Sequence, residues 1–178
     1  MTRSRLWVAG PLAALALSGC SHDHAVAPVD AAPPAVDVQL LSLNAWLAQL
    51  DPITQAVDGG FTQYGGLGVL SAYFTKDRAM NANTLLLLSS DSFGASPALS
   101  SQFADEPAVK ALGFLGANVD SLSNHNLDQG IAYLQHLVDL SAYPYVATNL
   151  SGVQAQVSAK VDVPYIVLDA GTIRIGIL

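Results

Sequence analysis

Short runs of apolar residues recur along the chain and are separated by stretches with helical spacing. The runs cover residues 38–44, 84–89, 119–123 and 145–150. Each is nearly continuous rather than alternating, which is typical of strands buried on both faces of a parallel sheet. The pattern therefore predicts three or four strands in one mainly parallel sheet, with residues 51–60 expected to form a loop after the first.

Three helices are predicted between these strands. The first follows Gly66 and ends near Lys76 and Arg78, whose charges suit a helix carboxyl terminus. The second opens at Asp105, as its cap, with Pro107 in the first turn. The third follows Asp128. The apolar faces of the three helices consist of Leu67, Leu70, Tyr73 and Phe74, of Val109, Leu112 and Leu115, and of Ile131, Leu134, Leu137 and Val138. Strands that alternate with helices predict an α/β fold whose ligands lie beyond the carboxyl ends of the strands.

The last two apolar runs, residues 164–168 and 172–178, are joined through residues 169–171 and predict a hairpin. The final run has no polar terminus. We therefore expect the chain to be incomplete, and the last strand to expose apolar surface and an unpaired edge.

The first twenty residues have the pattern of a secretory signal. Two arginines precede an apolar stretch from Leu6 to Leu17, and small residues follow up to Cys20. This stretch is too short to span a bilayer, which takes about 20 residues. The ending Leu-Ser-Gly-Cys resembles the bacterial lipoprotein box, which implies that Cys20 is lipidated. The alternative is an ordinary buried or free thiol.

The predicted organisation has three parts. Residues 1–20 form the signal peptide, and residues 21–36 form a flexible, proline-containing tether in which His22, Asp23 and His24 are expected to be solvated. Residues 37–178 form the folded domain. Lipidation at Cys20, followed by a serine, predicts a protein anchored in the bacterial envelope, in the outer membrane and facing the periplasm or the exterior.

Composition narrows the possible partners. The chain of 178 residues is 51% apolar and 12% charged, which suits a globular domain. Removal of Arg3 and Arg5 with the signal leaves 5 basic against 14 acidic residues, a formal charge of -9. Such a surface excludes nucleic acid as a partner. One cysteine excludes an internal disulfide, and no zinc-finger spacing is present.

Polar residues with catalytic potential follow two of the predicted strands. Asp91 follows the run at 84–89, whereas Asn124, His125 and Asp128 follow the run at 119–123. Carboxyl ends of parallel strands lie at one edge of a sheet, so we expect one site. The simpler interpretation is that Asp91 caps a turn, Asp128 caps a helix and His125 merely packs.

These motifs resemble those of the secreted 5'-nucleotidases, which are two-metal calcineurin-like phosphoesterases. The matching segments keep their order from residue 38 to residue 178. They are Val-Gln-Leu-Leu-Ser-Leu-Asn at 38–44, Gly-Gly-Leu at 65–67, Asn-Thr-Leu-Leu-Leu-Leu-Ser-Ser-Asp-Ser-Phe-Gly-Ala-Ser-Pro at 83–97, Glu-Pro-Ala-Val at 106–109 and Asn-His-Asn-Leu-Asp at 124–128.

The resemblance implies the amino-terminal half of the α/β/β/α sandwich of a metallophosphoesterase. It also implies a pair of divalent cations of the Zn, Mn or Mg type, which activate a bridging water to attack a nucleotide phosphomonoester. Asp91 would bridge the metals and Asn124 would bind the second. His125 and Asp128 would be the catalytic pair, in which Asp128 orients the imidazole.

The chain departs from the family at the first metal. Ala45, Trp46 and Leu47 stand where the family has Asp-x-His, and Ser90 replaces the glycine before Asp91. The family's later histidine ligands lie beyond the last residue. We therefore expect a degenerate, truncated relative with little turnover. The alternative is a non-catalytic, lipid-anchored protein that binds a ligand in the remaining cleft.

Overall fold

The computed structural model describes residues 35–150, 157–158, 160–162 and 164–178. Cys20, the predicted signal peptide and residues 21–34 of the predicted tether lie outside this part of the chain. In chain order the elements are β1 (Gln39–Asn44), β2 (Ile53–Val57), β3 (Gly60–Tyr64), α1 (Leu67–Arg78), β4 (Thr84–Ser89), α2 (Ala98–Ser101), α3 (Glu106–Phe114), β5 (Asp120–Ser121), a 3₁₀ turn (His125–Leu127), α4 (Ile131–Leu140), β6 (Tyr145–Val146), β7 (Val161–Asp162), β8 (Ile166–Ala170) and β9 (Ile173–Ile177).

Parallel pairing connects most of the strands in the order β1-β4-β5-β6-β7. β1 pairs with β4 from Gln39 opposite Thr84 to Asn44 opposite Ser89. A parallel bridge between Leu87 and Val119 connects β4 to the segment that leads into β5. β6 pairs in parallel with both β5 and β7. The predicted parallel α/β arrangement is therefore present, and the carboxyl ends of β1, β4 and β5 meet at one edge.

The core forms where the helices pack against this sheet. α3 begins at Glu106, an acidic first-turn residue followed by proline, and it packs on α4. Their large, fully buried side chains are Val109, Leu112, Leu134, Leu137 and Val138. These are among the apolar positions that the helical spacing predicts, and they belong to the core cluster of buried residues.

Three local predictions were wrong. Residues 51–60 contribute to the antiparallel hairpin β2–β3 and not to a loop, and all ten of its strand residues are exposed. β1 alternates between half-buried and exposed positions, with Leu40 57% exposed, because one of its faces has no cover among the described residues. The predicted cap of α3 is wrong in one respect: Asp105 occupies the N-cap position, but its side chain makes no capping bond, since its backbone is left-handed (φ 59°) and its carboxylate accepts from other partners.

The predicted carboxyl-terminal hairpin is present as β8 and β9, which pair antiparallel from Ile166 opposite Ile177 to Ala170 opposite Ile173. Ile173 is 37% exposed and Leu178 is 79% exposed, so this hairpin presents apolar surface as expected. None of the helices in the described ranges is both long and apolar enough to cross a membrane.

Candidate active site

Hydrogen bonds join the loops that follow β1 and β4. The amide nitrogen of Ala45 donates to the carbonyl of Ser90 at 3.2 Å, and that of Leu47 donates to the carbonyl of Asp91 at 2.9 Å. The amide of Ala48 continues the pattern to Ser92 at 2.9 Å. The two loops therefore run side by side past the end of the sheet, and they bring the positions expected to carry metal ligands together.

Left-handed backbone is concentrated in these loops. φ is 43° at Ala45, 51° at Leu47, 54° at Ala48, 68° at Ser90 and 49° at Asp91. This region is strained for residues with a Cβ, although Asp, Asn and His occupy it several times more often than other residues. Asp91 is a residue type that tolerates this conformation. The backbone at Ala45, Leu47 and Ser90 is strained, and glycine, Asp, Asn or His at these positions would lower the strain.

The third part of the site is the segment after β5. The amide nitrogen of His125 donates to Oδ1 of Asp91 at 3.2 Å. The predicted convergence of Asp91 and the His125 segment at one edge therefore occurs. Asn124 is exposed beside this contact, and its Oδ1 accepts a hydrogen bond from the hydroxyl of Ser123 at 3.2 Å.

His125 and Asp128 form a side-chain pair. The imidazole Nδ1 lies 2.8 Å from Oδ2 of Asp128, and the two side chains are 38% and 44% exposed. The hydrogen bond to Asp128 raises the pKa of His125; burial opposes this rise, and the nearby charges of Asp128 and Asp91 add to it. The pair thus favours an imidazolium that leaves Nε2 free to act on an anionic group.

Another polar side chain lies beneath the loop after β4. Asp120 in β5 is fully buried, and it accepts hydrogen bonds from the hydroxyl of Ser92 and from the amide of Ser121. Burial raises the pKa of Asp120 to about 7, with a further rise from Asp91, while the two hydrogen bonds oppose the shift. Asp120 therefore connects the site to the core as a carboxyl group that titrates near neutrality.

The possible metal-ligand atoms at this edge of the sheet do not suit a pair of divalent cations. Of the three residues after β1, Ala45 and Leu47 have no donor atom in their side chains, and Trp46 is buried in the core. Asp91 supplies one carboxylate, of which one oxygen already accepts from His125, and Asn124 supplies a neutral amide. Two cations about 3.5–4 Å apart need more anionic ligands than this. Within the described ranges, no group of three or more His, Cys, Asp or Glu side chains is placed to hold a metal ion.

Solved structures with this fold include two nucleotidases and a phosphoesterase. The chain superimposes on the 5'-nucleotidase precursor of Thermus thermophilus with a TM-score of 0.69 and 24% identity, over 78% of this chain and 27% of that one. The NAD nucleotidase of Haemophilus influenzae gives 0.68 and 21%, over 79% and 26%. The calcineurin-like phosphoesterase YfkN of Bacillus subtilis gives 0.57 and 16%, over 78% and 46%. The chain has the fold of the amino-terminal part of a calcineurin-like phosphoesterase.

Sequence relatives have more varied names. The cell wall protein Lmo0130 of Listeria monocytogenes is 27% identical over an alignment of 176 positions, which covers 83% of this chain and 22% of that protein. An uncharacterized protein of Acinetobacter calcoaceticus is 28% identical, over 77% of this chain and 72% of its own length. The endonuclease YhcR of Bacillus subtilis is 26% identical, over 66% and 10%. No family model matches the chain.

The phosphoesterase-like chain therefore spans about a quarter of the two nucleotidases, and 22% of the Listeria protein. The predicted likeness to 5'-nucleotidases is confirmed for the fold. The individual roles of His125, Asp128, Asp91, Asn124 and Cys20 stay predictions.

Two residues that shape the site were missed in the sequence. Gly94 is buried, and a Cβ placed on it would lie 2.0 Å from the carbonyl oxygen of His125, so only glycine fits there without a shift of the backbone. The amide of Asn126 is fully buried beside His125. A glycine after Phe93 was visible in the sequence as a possible close approach. The burial of Asn126 had no sequence signal.

Proposed function

We propose that the chain descends from a metal-dependent phosphomonoesterase of the 5'-nucleotidase type and that its own residues give little or no hydrolysis. The observation that carries the proposal is the composition of the joined loops. They place Ala45 and Leu47 beside the backbone of Ser90 and Asp91, at the positions where metal ligands would be needed. Without those ligands the water that attacks phosphorus is not activated.

The part of the site that handles the substrate is better preserved. His125 and Asp128 are 2.8 Å apart, as a pair that holds a proton near a leaving oxygen requires. An imidazolium alone supplies no nucleophile, however, and Asp91 adds negative charge that opposes the approach of a phosphate. The preserved pair supports descent from an enzyme more strongly than it supports activity.

The test is hydrolysis of AMP by the purified protein that begins at Cys20, with and without added Mn²⁺ or Zn²⁺. We expect the protein to release phosphate from AMP no faster than the metal ion does in buffer without protein. The variant His125→Ala is expected to give the same rate. Turnover that depends on both metal and His125 would refute the proposal.

The second candidate is a protein that binds a nucleotide or another phosphomonoester without turnover, and a small cleft at the ends of β5 and β6 is a place for such a ligand, although none of Asp91, Asn124, His125 and Asp128 lines it. The cleft has a volume of about 210 Å³ and opens where β5 and β6 end, against Leu122, Thr148, Asn149 and Leu178. Calorimetric titration with AMP distinguishes the candidates. Saturable binding that the variant Thr148→Leu abolishes, in the absence of hydrolysis, would favour the binding protein.

We further propose that the protein is carried in the bacterial cell envelope on a lipid at Cys20. Two observations support this location. One is the Leu-Ser-Gly-Cys sequence after an apolar stretch, and the other is the name of the Listeria relative, a cell wall protein. Of the two membranes we favour the outer one, because the residue after the cysteine is a serine and not an aspartate.

A further inference from the structure

Asn126 uses both ends of its side-chain amide, although the residue is fully buried. Its Oδ1 accepts a hydrogen bond from the amide nitrogen of Ser123 at 2.8 Å, and its Nδ2 donates to the carbonyl oxygen of Phe93 at 3.1 Å. Ser123 belongs to the segment after β5, and Phe93 to the loop after β4. One side chain thus joins two of the three segments that make up the site.

The backbone of His125 lies between these two anchors and is held by contacts of its own. Its amide nitrogen is held by Oδ1 of Asp91 at 3.2 Å. Its carbonyl is covered by Gly94, where a Cβ would come within 2.0 Å of the oxygen. The backbone of His125 is therefore fixed by the same loop to which Asn126 is tied.

We propose that Asn126 is a positioning residue, which keeps His125 in register with Asp128 by joining the segment after β5 to the loop after β4. The role of the His125–Asp128 pair in this inference rests on the proposed function. The hydrogen bonds of Asn126 do not depend on that function. Among side chains of this size that are neutral without a shifted pKa, only an amide has both the acceptor that Ser123 needs and the donor that Phe93 needs.

A purely structural role would have a different consequence. A buried amide that merely filled the core would cost stability when removed, because two backbone groups would lose their partners. The imidazole of His125 would then keep its contact with Asp128 in every molecule that is still folded. The state of the imidazole therefore distinguishes positioning from filling.

The experiment measures the ring nitrogens of His125 by NMR, in protein labelled with ¹⁵N-histidine, at a pH where the imidazole is neutral. The partner of one ring nitrogen decides which nitrogen carries the proton. In the wild type, Asp128 holds the proton on Nδ1. The variant Asp128→Ala provides the signals of His125 without its partner.

We expect Asn126→Ala to shift both ring-nitrogen signals by more than half of the way from the wild type to Asp128→Ala. The matched control is Asn118→Ala. It removes a similar bond, from the amide of Leu86 to Oδ1 of Asn118 at 2.8 Å, away from the site. This control is expected to lose stability and to keep the wild-type His125 signals.

If Asn126→Ala does not fold, Asn126→Leu takes its place, because it keeps most of the volume but loses both the acceptor for Ser123 and the donor to Phe93. Wild-type His125 signals in a folded Asn126 variant would overturn the inference. So would an equal shift in the Asn118 control. Neither outcome depends on AMP hydrolysis, so the proposed function can fail without affecting this test.

Discussion

Single residues decide what the site can do, and the clearest case is the disagreement between backbone and side chains after β1. Ala45 and Leu47 adopt left-handed backbone, at φ 43° and 51°, which neither side chain favours. Asp and His tolerate this conformation better. The loop thus has a shape that suits polar ligand side chains but carries apolar ones.

The double substitution Ala45→Asp and Leu47→His is therefore expected to create a divalent-cation site with Asp91 at little cost in stability. Three donors would then converge on the loop, as a minimal metal site needs. Titration with Mn²⁺, followed by electron paramagnetic resonance, should show at least a tenfold gain in affinity over the wild type. Adding Asp91→Asn to the double variant should remove the gain, and an unchanged affinity in the double variant would contradict the expectation.

Asp120 should make stability depend on pH. Its pKa is about 7 in the folded protein against 3.8 for an ordinary aspartate. The folded state therefore binds a proton that the unfolded state has released between about pH 4 and pH 7. The stabilisation from the protonated form is fully present below pH 4 and is lost as the pH rises to 7, by a total of about 4 kcal/mol.

The variant Asp120→Asn is expected to remove this loss. Urea unfolding at pH 4.5 and pH 8 measures it as the difference in free energy of unfolding, with the wild type losing more stability at pH 8 than the variant does. Ser92→Ala, which removes a donor to the ionised carboxylate, should instead extend the loss to higher pH. Parallel pH profiles for the wild type and Asp120→Asn would show that the carboxyl group is not shifted.

Among the elements, the hairpin β2–β3 is attached to the fold without being part of its core. All ten of its strand residues are exposed, including Phe61 at 83%. The chain on either side is fixed independently, because the amide of Leu67 donates to the carbonyl of Leu50 at 2.9 Å. A Cβ at Gly66 would lie 2.8 Å from the backbone nitrogen of Pro52.

Replacement of residues 53–64 by two glycines should therefore leave the melting temperature within about 2 °C of the wild type, because paired strand ends lie only about 5 Å apart. The matched variant Gly66→Ala adds one methyl group at the base of the hairpin. It should lower the free energy of unfolding by about 1–3 kcal/mol, because the methyl group would contact Pro52 and because φ is 78° at this position. Thermal unfolding followed by circular dichroism measures both. A large loss in the deletion would mean that the hairpin packs on the fold.

The elements also show how far the sequence could be interpreted. β4 (Thr84–Ser89) and the three longer helices were predictable because most of their apolar positions face a core that covers them, although Tyr73, predicted on the apolar face of α1, is 50% exposed. The hairpin β2–β3 was not predicted, because its exposed strands have no apolar period, although Asp58 and Gly59 are the residues of a tight hairpin turn. Asp105 was taken for a cap, but contacts with Gly94, Ser96 and Tyr133 outweigh that preference.

In the candidate site, too, features that follow from local pattern and strand order were predictable, and features that depend on distant contacts were not. Parallel strands bring their carboxyl ends together, so the meeting of Asp91 with the His125 segment was predictable from order alone. Left-handed backbone at Ser90 and the buried amide of Asn126 depend on contacts between distant segments. Such contacts have no local pattern in a sequence.

At the scale of the whole molecule, the question is where the folded domain is held. The described residues begin at Ala35, so the segment that decides this lies before them. If Cys20 carries a lipid, the mature protein partitions with membranes in spite of its formal charge of -9, because acyl chains contribute about 0.8 kcal/mol for each buried methylene group.

The variant Cys20→Ala should therefore lose incorporation of labelled palmitate and move from the membrane fraction to the soluble fraction, when both proteins are expressed in a bacterium with an outer membrane. Ser21→Asp is the matched control, since it keeps the acceptor cysteine and alters only the residue read for sorting. It should keep the label and move the protein from the outer to the inner membrane. Palmitate in the Cys20→Ala protein, or a wild type without label, would exclude the anchor and leave the domain without the proposed attachment.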